Sequence, residues 1–290
     1  LLTVEVPAPC PLGPADAALA PTWRAAWSDR TAALMAAFAE YAYRDAAALP
    51  ALLAPAGFTL AAALAAGDVV AFLAVCPGEL AVLAFRGTAD VGDWAIDLNA
   101  VPRPMPGRPG IRIHSGFWDA YARVAAEIAA AVGQLPANGF GEVGLYITGH
   151  SLGGALAQIA AAALERDTLA ACYTFGSPRV ASAGFDALVK CPHYRVVDDW
   201  DLVPAVPPPS PAWLGGYRHT GDARLLAGPH PAEAQRRDRD LVPRLLADLW
   251  SLAVWPLTGR LTSVDDHMIW TYRAKLAAIA AGHASAGAKP

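Results

Sequence analysis

Apolar residues recur along this chain with two periods, and the places where one period gives way to the other outline the fold. Between residues 22 and 47, Trp23, Trp27, Leu34, Phe38 and Tyr41 fall close to one helical face, which predicts a first helix there. Two short apolar runs follow, VVAFLAVC (69–76) and LAVLAFRG (80–87), joined by Pro77-Gly78-Glu79 and read as a hairpin. A helical pattern returns over 117–135. Then come strand GLYIT (144–148), helix 153–166, strand AACYTFG (170–176), a helical piece near 182–190 and strand YRVVD (194–198). Such alternation predicts an α/β fold, a mainly parallel sheet with helices on both faces. It fails from Pro204 to about Thr262, where the apolar segment LVPRLLADLWSLAVW (241–255) reads as part of an insertion (about 205–262) over the sheet edge. A last helix is expected from Met268 to about Ala281.

The remaining segments add little chemistry. Residues 1–21 are proline-rich and read as a surface arm, and the uncharged run from Asp45 to Asp68 contains Pro50, Pro55 and Gly57. That run is long enough to cross a bilayer but is mostly alanine, so it is read as helix, loop, helix. With 290 residues, one domain is expected for 1–290. The hydrophobic fraction of 55% and mean hydropathy of +0.31 reflect abundant alanine rather than large apolar side chains. A net charge of -4 and scattered basic residues leave no footprint for nucleic acid. The first twenty residues lack the basic flank and apolar core of a signal peptide, which leaves export open. Cys10, Cys76, Cys172 and Cys191 show no CxxC spacing, so neither a zinc site nor a redox motif is expected, and buried thiols are the reading for Cys76 and Cys172.

One stretch resists a purely structural account. In LYITGHSLGGALAQ, Gly149-His150-Ser151-Leu152-Gly153 fits G-x-S-x-G between a strand and a helix. Glycines are needed there because the turn is too sharp for a Cβ, and the helix start behind the serine offers unpaired N–H groups and a positive dipole end. The Leu152 N–H would meet an oxyanion forming beside Ser151. A serine needs a base oriented by a carboxylate, and in this sheet topology the order is Ser, acid, His. Asp198, Asp199 and Asp201 follow a later strand, and Asp201 is preferred because Leu202-Val203-Pro204 reads as a fixed loop. Among the later histidines, His230 and His283 lack an anchored setting. His219 and His267 remain, and the apolar helix after His267 would hold its ring in place.

These residues belong to a series, AFRGT (84–88), IHSGF (113–117), TGHSLGGALA (148–157), TFGSPRV (174–180), RVVDDWDLVPAVPP (195–208) and DHMIWTY (266–272), that resembles the class 3 lipase family, which includes the fungal triacylglycerol lipases. The resemblance implies an α/β-hydrolase fold with Ser151 as nucleophile, Asp201 as orienting acid and His267 as base, and no metal or organic cofactor. It implies Thr88 as the second oxyanion donor beside Leu152, and a structural role for the histidine near position 219. Two positions depart from the family pattern, which usually has asparagine at Asp198 and glycine at Ala181. The segment after Thr88 corresponds to the family's lid: Asp93 and Trp94 with Val91, Ile96 and Leu98 form either a short amphipathic cover that opens at a lipid surface or a fixed surface helix.

Two classes of function follow. The first is a serine ester hydrolase acting on a lipid or other ester as a monomer, with transient contact at a lipid interface, no transmembrane segment and no nucleic acid partner. Phospholipase A1 activity and acyl transfer are variants of it, and the resemblance favours secretion. The second is a lipase-like binding protein without catalysis, against which an intact Ser, Asp, His set counts.

Overall fold

Strands whose side chains are apolar on both faces build the centre of the molecule. In a computed structural model, residue 12 and residues 24–76, 80–88, 102–135, 137–138, 141–164, 168–198, 201, 203–207, 209, 216–226 and 267–287 are described. In chain order the elements are α1 (Asp29–Tyr41), α2 (Leu49–Leu53), β1 (Thr59–Ala66), β2 (Val69–Cys76), β3 (Leu80–Phe85), β4 (Pro102–Met105), β5 (Arg108–His114), α3 (Ser115–Ala122) and α4 (Ala125–Gly133). There follow β6 (Ala137–Asn138), β7 (Gly141–Glu142), β8 (Gly144–His150), α5 (Leu152–Ala163), β9 (Leu169–Phe175), β10 (Ala181–Ser182), β11 (His193–Val197), β12 (Tyr217–Arg218), β13 (Asp222–Leu225) and α6 (Ile269–Gly287). The main sheet has the order β1-β2-β3-β8-β9-β11-β13. Its first two pairings are antiparallel and all those from β3 onward are parallel.

Alternation along β2 and β3 divides the core in two. Ala71, Leu73, Ala81, Leu83 and Phe85 join α3, α4 and α5 on one face, whereas Phe72, Ala74, Val82 and Ala84 join α1, α2 and α6 on the other. Phe38 of α1 stands edge-on to Phe58 at 4.9 Å and stacks on Phe72 at 6.0 Å, which anchors the second layer. The smaller sheet, β12-β10-β5-β4, adds Met105, Ile113 and Ala181 to the first of these layers.

Several predicted elements change on folding. The first helix begins only at Asp29, because the Ser28 hydroxyl accepts from the Thr31 N–H and caps it there. Trp27 precedes that helix and packs against Tyr173 and Tyr194 instead; of the arm expected on the surface, Leu12 is buried, its N–H donating to the Tyr41 hydroxyl at 3.1 Å, and Trp23 and the rest of the arm lie outside the described residues. The second half of the run from Asp45 to Asp68 is strand β1, not helix. Gly57, at φ 80°, ends the α2 region, and the following alanines pair with the otherwise open edge of β2, which outweighs alanine's helix preference. The helix expected over 117–135 is two helices broken at Arg123-Val124, a bend that keeps Tyr121, Val124, Ile128 and Val132 in one core layer. Near 182–190 a strand and a single 3-10 turn replace the expected helix, because Ala181 pairs with Ile113 and Arg218. The region expected as an insertion contributes β13, which extends the main sheet beside β11; residues 227–266, including the apolar segment 241–255, lie outside the described residues.

A buried polar chain links the start of β11 to β9, α5 and the residues before β13. His193 Nε2 meets Thr174 Oγ1 at 3.1 Å, and its Nδ1 meets Thr220 Oγ1 at 3.3 Å. Thr220 donates to Gln158 Oε1 and Gln158 donates to Ser177 Oγ, at 2.9 and 2.8 Å. Burial, with Arg195 and His219 nearby, pushes the His193 pKa down to about 3. The unfolded chain therefore takes up a proton near pH 6.5 that the folded chain refuses, so this group's contribution is complete above that pH and is lost as pH falls toward 3. In urea titrations, the unfolding free energy of the parent should fall faster with acidification between those limits than that of His193→Gln, by at most about 1.4 kcal/mol per pH unit. Parallel slopes for the two proteins would contradict a neutral, buried His193.

Candidate active site

Strand β8 delivers Ser151 to the end of the sheet in a conformation that few side-chain-bearing residues adopt, φ 56° and ψ -126°. Such backbone strain costs about 1–3 kcal/mol and persists only where the surroundings enforce it. Here the Ser151 N–H donates to Phe175 O at 2.9 Å, and the Ser151 carbonyl accepts from Gly154 and Ala155 as the first acceptor of α5. The glycines around it have no alternative. A Cβ on Gly149 would stand 2.2 Å from Gly153 O, and one on Gly153 would stand 2.4 Å from Phe85 O. Helix α5 starts at Leu152, so the Leu152 N–H lies in a first turn that offers no intrahelical acceptor. Gly87 runs beside the serine, its missing Cβ only 3.2 Å from Ser151 Cβ, and the half-buried Thr88 follows it.

Asp201 and His267 meet although 66 residues separate them, with Nδ1 of His267 2.8 Å from Oδ2 of Asp201. Both are almost fully buried, as is Ser151. The Asp201 carboxylate is fixed by further donors: the Val203 N–H to Oδ1 at 2.9 Å and the Tyr272 hydroxyl to Oδ2 at 2.6 Å. Tyr272 in turn accepts from the Asp198 N–H at 2.9 Å. Burial, followed by the nearby Asp201, raises the Tyr272 pKa well above its usual value, so its proton stays in place as a donor. With Nδ1 facing the carboxylate, His267 keeps Nε2 for other chemistry, and that buried atom has no hydrogen-bond partner among the described residues. Gly176, at φ 55°, permits this pairing, because a Cβ there would lie 2.5 Å from Asp201 Oδ2 and 3.1 Å from His267 Nδ1.

The structure separates the candidates that local sequence leaves together. Asp198 is buried and pairs with Lys275 rather than a histidine, and Asp199 lies outside the described residues. His219 sits between β12 and β13 on the His193 side. His230 falls outside the described residues, as does the side chain of His283. Asp93, Trp94, Ile96 and the rest of the expected lid also lie outside them. Tyr272, Lys275, Tyr43 and His150 contribute contacts that no local pattern assigned, although Tyr272 and His150 stand inside recognised segments. Among the described residues no group of three or more His, Cys, Asp or Glu is placed to hold a metal ion, and no helix is long and apolar enough to cross a membrane.

Residues 82–210 match the family model of Lipase (class 3). Over 155 residues the chain is 37% identical to secreted mono- and diacylglycerol lipase 1 of Fusarium solani, covering 51% of this chain and 44% of that protein. It is 33% identical over 171 residues to a lipase of Rhizomucor miehei, covering 55% and 45% respectively. The chain thus spans about half the length of the curated relatives it matches. Among solved structures, a triacylglycerol lipase whose catalytic centre is a serine protease triad aligns with a TM-score of 0.59 at 28% identity, over 71% of this chain and 83% of that one. The Rhizomucor miehei lipase propeptide complex aligns equally well, at 27% identity over 72% and 73%.

The crowding at Gly176 is open to direct measurement. Gly176→Ala should lose about 1–3 kcal/mol of unfolding free energy in urea, and its crystal structure should show the Asp201 carboxylate or the His267 ring displaced. A variant as stable as the parent, with both side chains unmoved, would contradict the close approach.

Proposed function

We propose, for a chain with the sequence and fold of the class 3 lipase family, hydrolysis of lipid carboxylic esters through an acyl-enzyme formed on Ser151. The observation that carries this reading is the buried Nε2 of His267, which has no hydrogen-bond partner among the described residues while the other ring nitrogen is committed to Asp201. In that tautomer Nε2 is the basic atom. It takes the Ser151 proton as Oγ adds to the ester carbonyl, then gives it to the departing alkoxide. Asp201 holds the ring and stabilises the imidazolium that forms. The Leu152 N–H, supported by the start of α5, and the Thr88 N–H and hydroxyl receive the negative oxygen of the tetrahedral intermediate. Water then enters on the same base and releases the acid. None of these steps calls on a metal or an organic cofactor.

Neutral acylglycerols are the proposed substrates, consistent with the names of the relatives from Fusarium solani and Rhizomucor miehei. Ser151 is only 1% exposed, and a movable cover over it would fit that burial. We assign that cover to residues 89–98, with Val91, Trp94 and Leu98 as the side that a lipid surface would receive. Burial of that side at an interface returns roughly 25 cal/mol per Å² of apolar area, which offsets the exposure that opening entails.

Two experiments test these assignments. On nitrophenyl esters, Ser151→Ala should lower turnover about a million-fold while the protein stays folded, because the three residues act as a unit. His267→Ala should cost nearly as much and His219→Ala far less; a reversed order would move the base to His219. For the cover, activity on an emulsified long-chain ester should rise steeply once the substrate exceeds its solubility, and Trp94→Ser should blunt that rise while sparing a soluble short ester. Ordinary saturation straight through the solubility limit would make residues 89–98 a fixed wall.

A further inference from the structure

The residue before the serine carries a second ring that the proposed chemistry does not use. His150 is buried, and its two nitrogens are both engaged: Nδ1 lies 2.8 Å from the Tyr43 hydroxyl, and Nε2 meets the backbone carbonyl of His267. A carbonyl only accepts, so Nε2 must carry the proton and Nδ1 must be the acceptor. Tyr43 therefore donates to His150, and its oxygen accepts from the Gly87 N–H. Burial, with His267 as a second cause, holds His150 well below the ordinary histidine range, so the ring stays neutral and this single tautomer stands. Its ring lies against that of His267, centroids 4.5 Å apart.

We propose that Tyr43 and His150 are positioning residues, a hydrogen-bonded relay from the Gly87 backbone, next to the oxyanion donor Thr88, to the backbone of His267. This rests on the hydrolase reading above. The relay spans four places that have no local connection: the end of β3, the turn after α1, the end of β8 and His267, two residues before α6. Asp201 sets the direction of the His267 ring, and His150 sets the position of the backbone that carries it. Tyr43 does the same for Gly87, which has no side chain of its own to hold it. Both groups that must face the reacting carbonyl, the base and the Thr88 donor, are thereby located against one hydroxyl.

The test uses Tyr43→Phe, which removes one oxygen atom and keeps the ring. On a soluble nitrophenyl ester, kcat should fall on the order of tenfold to a hundredfold, with KM within about twofold, since the damage is to geometry around the reacting atoms and not to substrate binding. In protein carrying 15N-labelled histidine, the wild-type His150 should show the tautomer protonated at Nε2, and Tyr43→Phe should lose or mix that signature. Should Tyr43→Phe fold poorly, His150→Gln, which keeps a donor for the His267 carbonyl, should retain more kcat than His150→Leu. An active wild type with Tyr43→Phe at the same kcat, or with His150→Leu equal to His150→Gln, overturns the relay and leaves the hydrolase standing. A wild type inactive on every ester, with the tautomer still altered in Tyr43→Phe, overturns the hydrolase and sustains the hydrogen-bonded chain.

Discussion

The end of the sheet that carries Ser151 depends on one close approach, in which β8 turns into α5 so tightly that a Cβ on Gly153 would stand 2.4 Å from the carbonyl oxygen of Phe85 on the neighbouring strand. A methyl group at Gly149 or Gly153 would force the elements apart by more than an ångström, and the serine between them could not keep its positive φ. Because the turn is closed from both sides, the start of α5 points at the place where Ser151 presents its hydroxyl. Parallel pairing of β3, β8 and β9 then brings Gly87, Ser151 and Gly176 to one edge of the sheet, each at the end of its strand. Steric exclusion thus does the positioning, and electrostatics acts on what is positioned.

That edge is dense in buried polar groups, and its stability rests on pairing them. Asp198 and Asp201 are both fully buried within four residues of sequence, an arrangement that would be costly were either left alone. Asp201 receives three donors, and Asp198 has Lys275. The Lys275 ammonium supplies the cation that the buried Asp198 carboxylate needs. At Ala181 the strand β10 pairs on both sides and the small side chain is accepted without exposure.

How much of this was legible depends on the distance over which each feature is decided. The G-x-S-x-G turn and the β2–β3 pair are written in local pattern, because a period-2 run or a glycine turn is enforced by its own neighbours. Strand β1 was not legible: alternating burial of alanines leaves no contrast between faces, and only the open edge of β2 decides the outcome. The break at Arg123-Val124 is likewise a tertiary choice, made by the curvature of the core layer. The choice of His267 over His219 came from the series of matched segments rather than from any one window, and Tyr43 meets His150 across 107 residues, a contact that no window of sequence contains.

The last helix shows why such long-range contacts concentrate where they do. Residues 272, 275 and 276 lie on one side of α6 by helical spacing, and they do three different things: Tyr272 holds Asp201, Lys275 neutralises Asp198 and Leu276 enters the core. Arg273, one position round, reaches Glu40 at 2.6 Å, and its guanidinium lies over the Tyr41 ring, so α1 and α6 are locked together beneath the site. His267 stands just before this helix and so inherits its placement from it. Any displacement of α6 against α1 would reach His267, Asp201 and the Tyr43 hydroxyl together, since Tyr43 lies two residues beyond α1. The apolar packing of the second core layer is therefore not separable from the geometry of the site: the same two helices that bury Phe38 and Leu276 also carry the groups that hold His267 and Gly87.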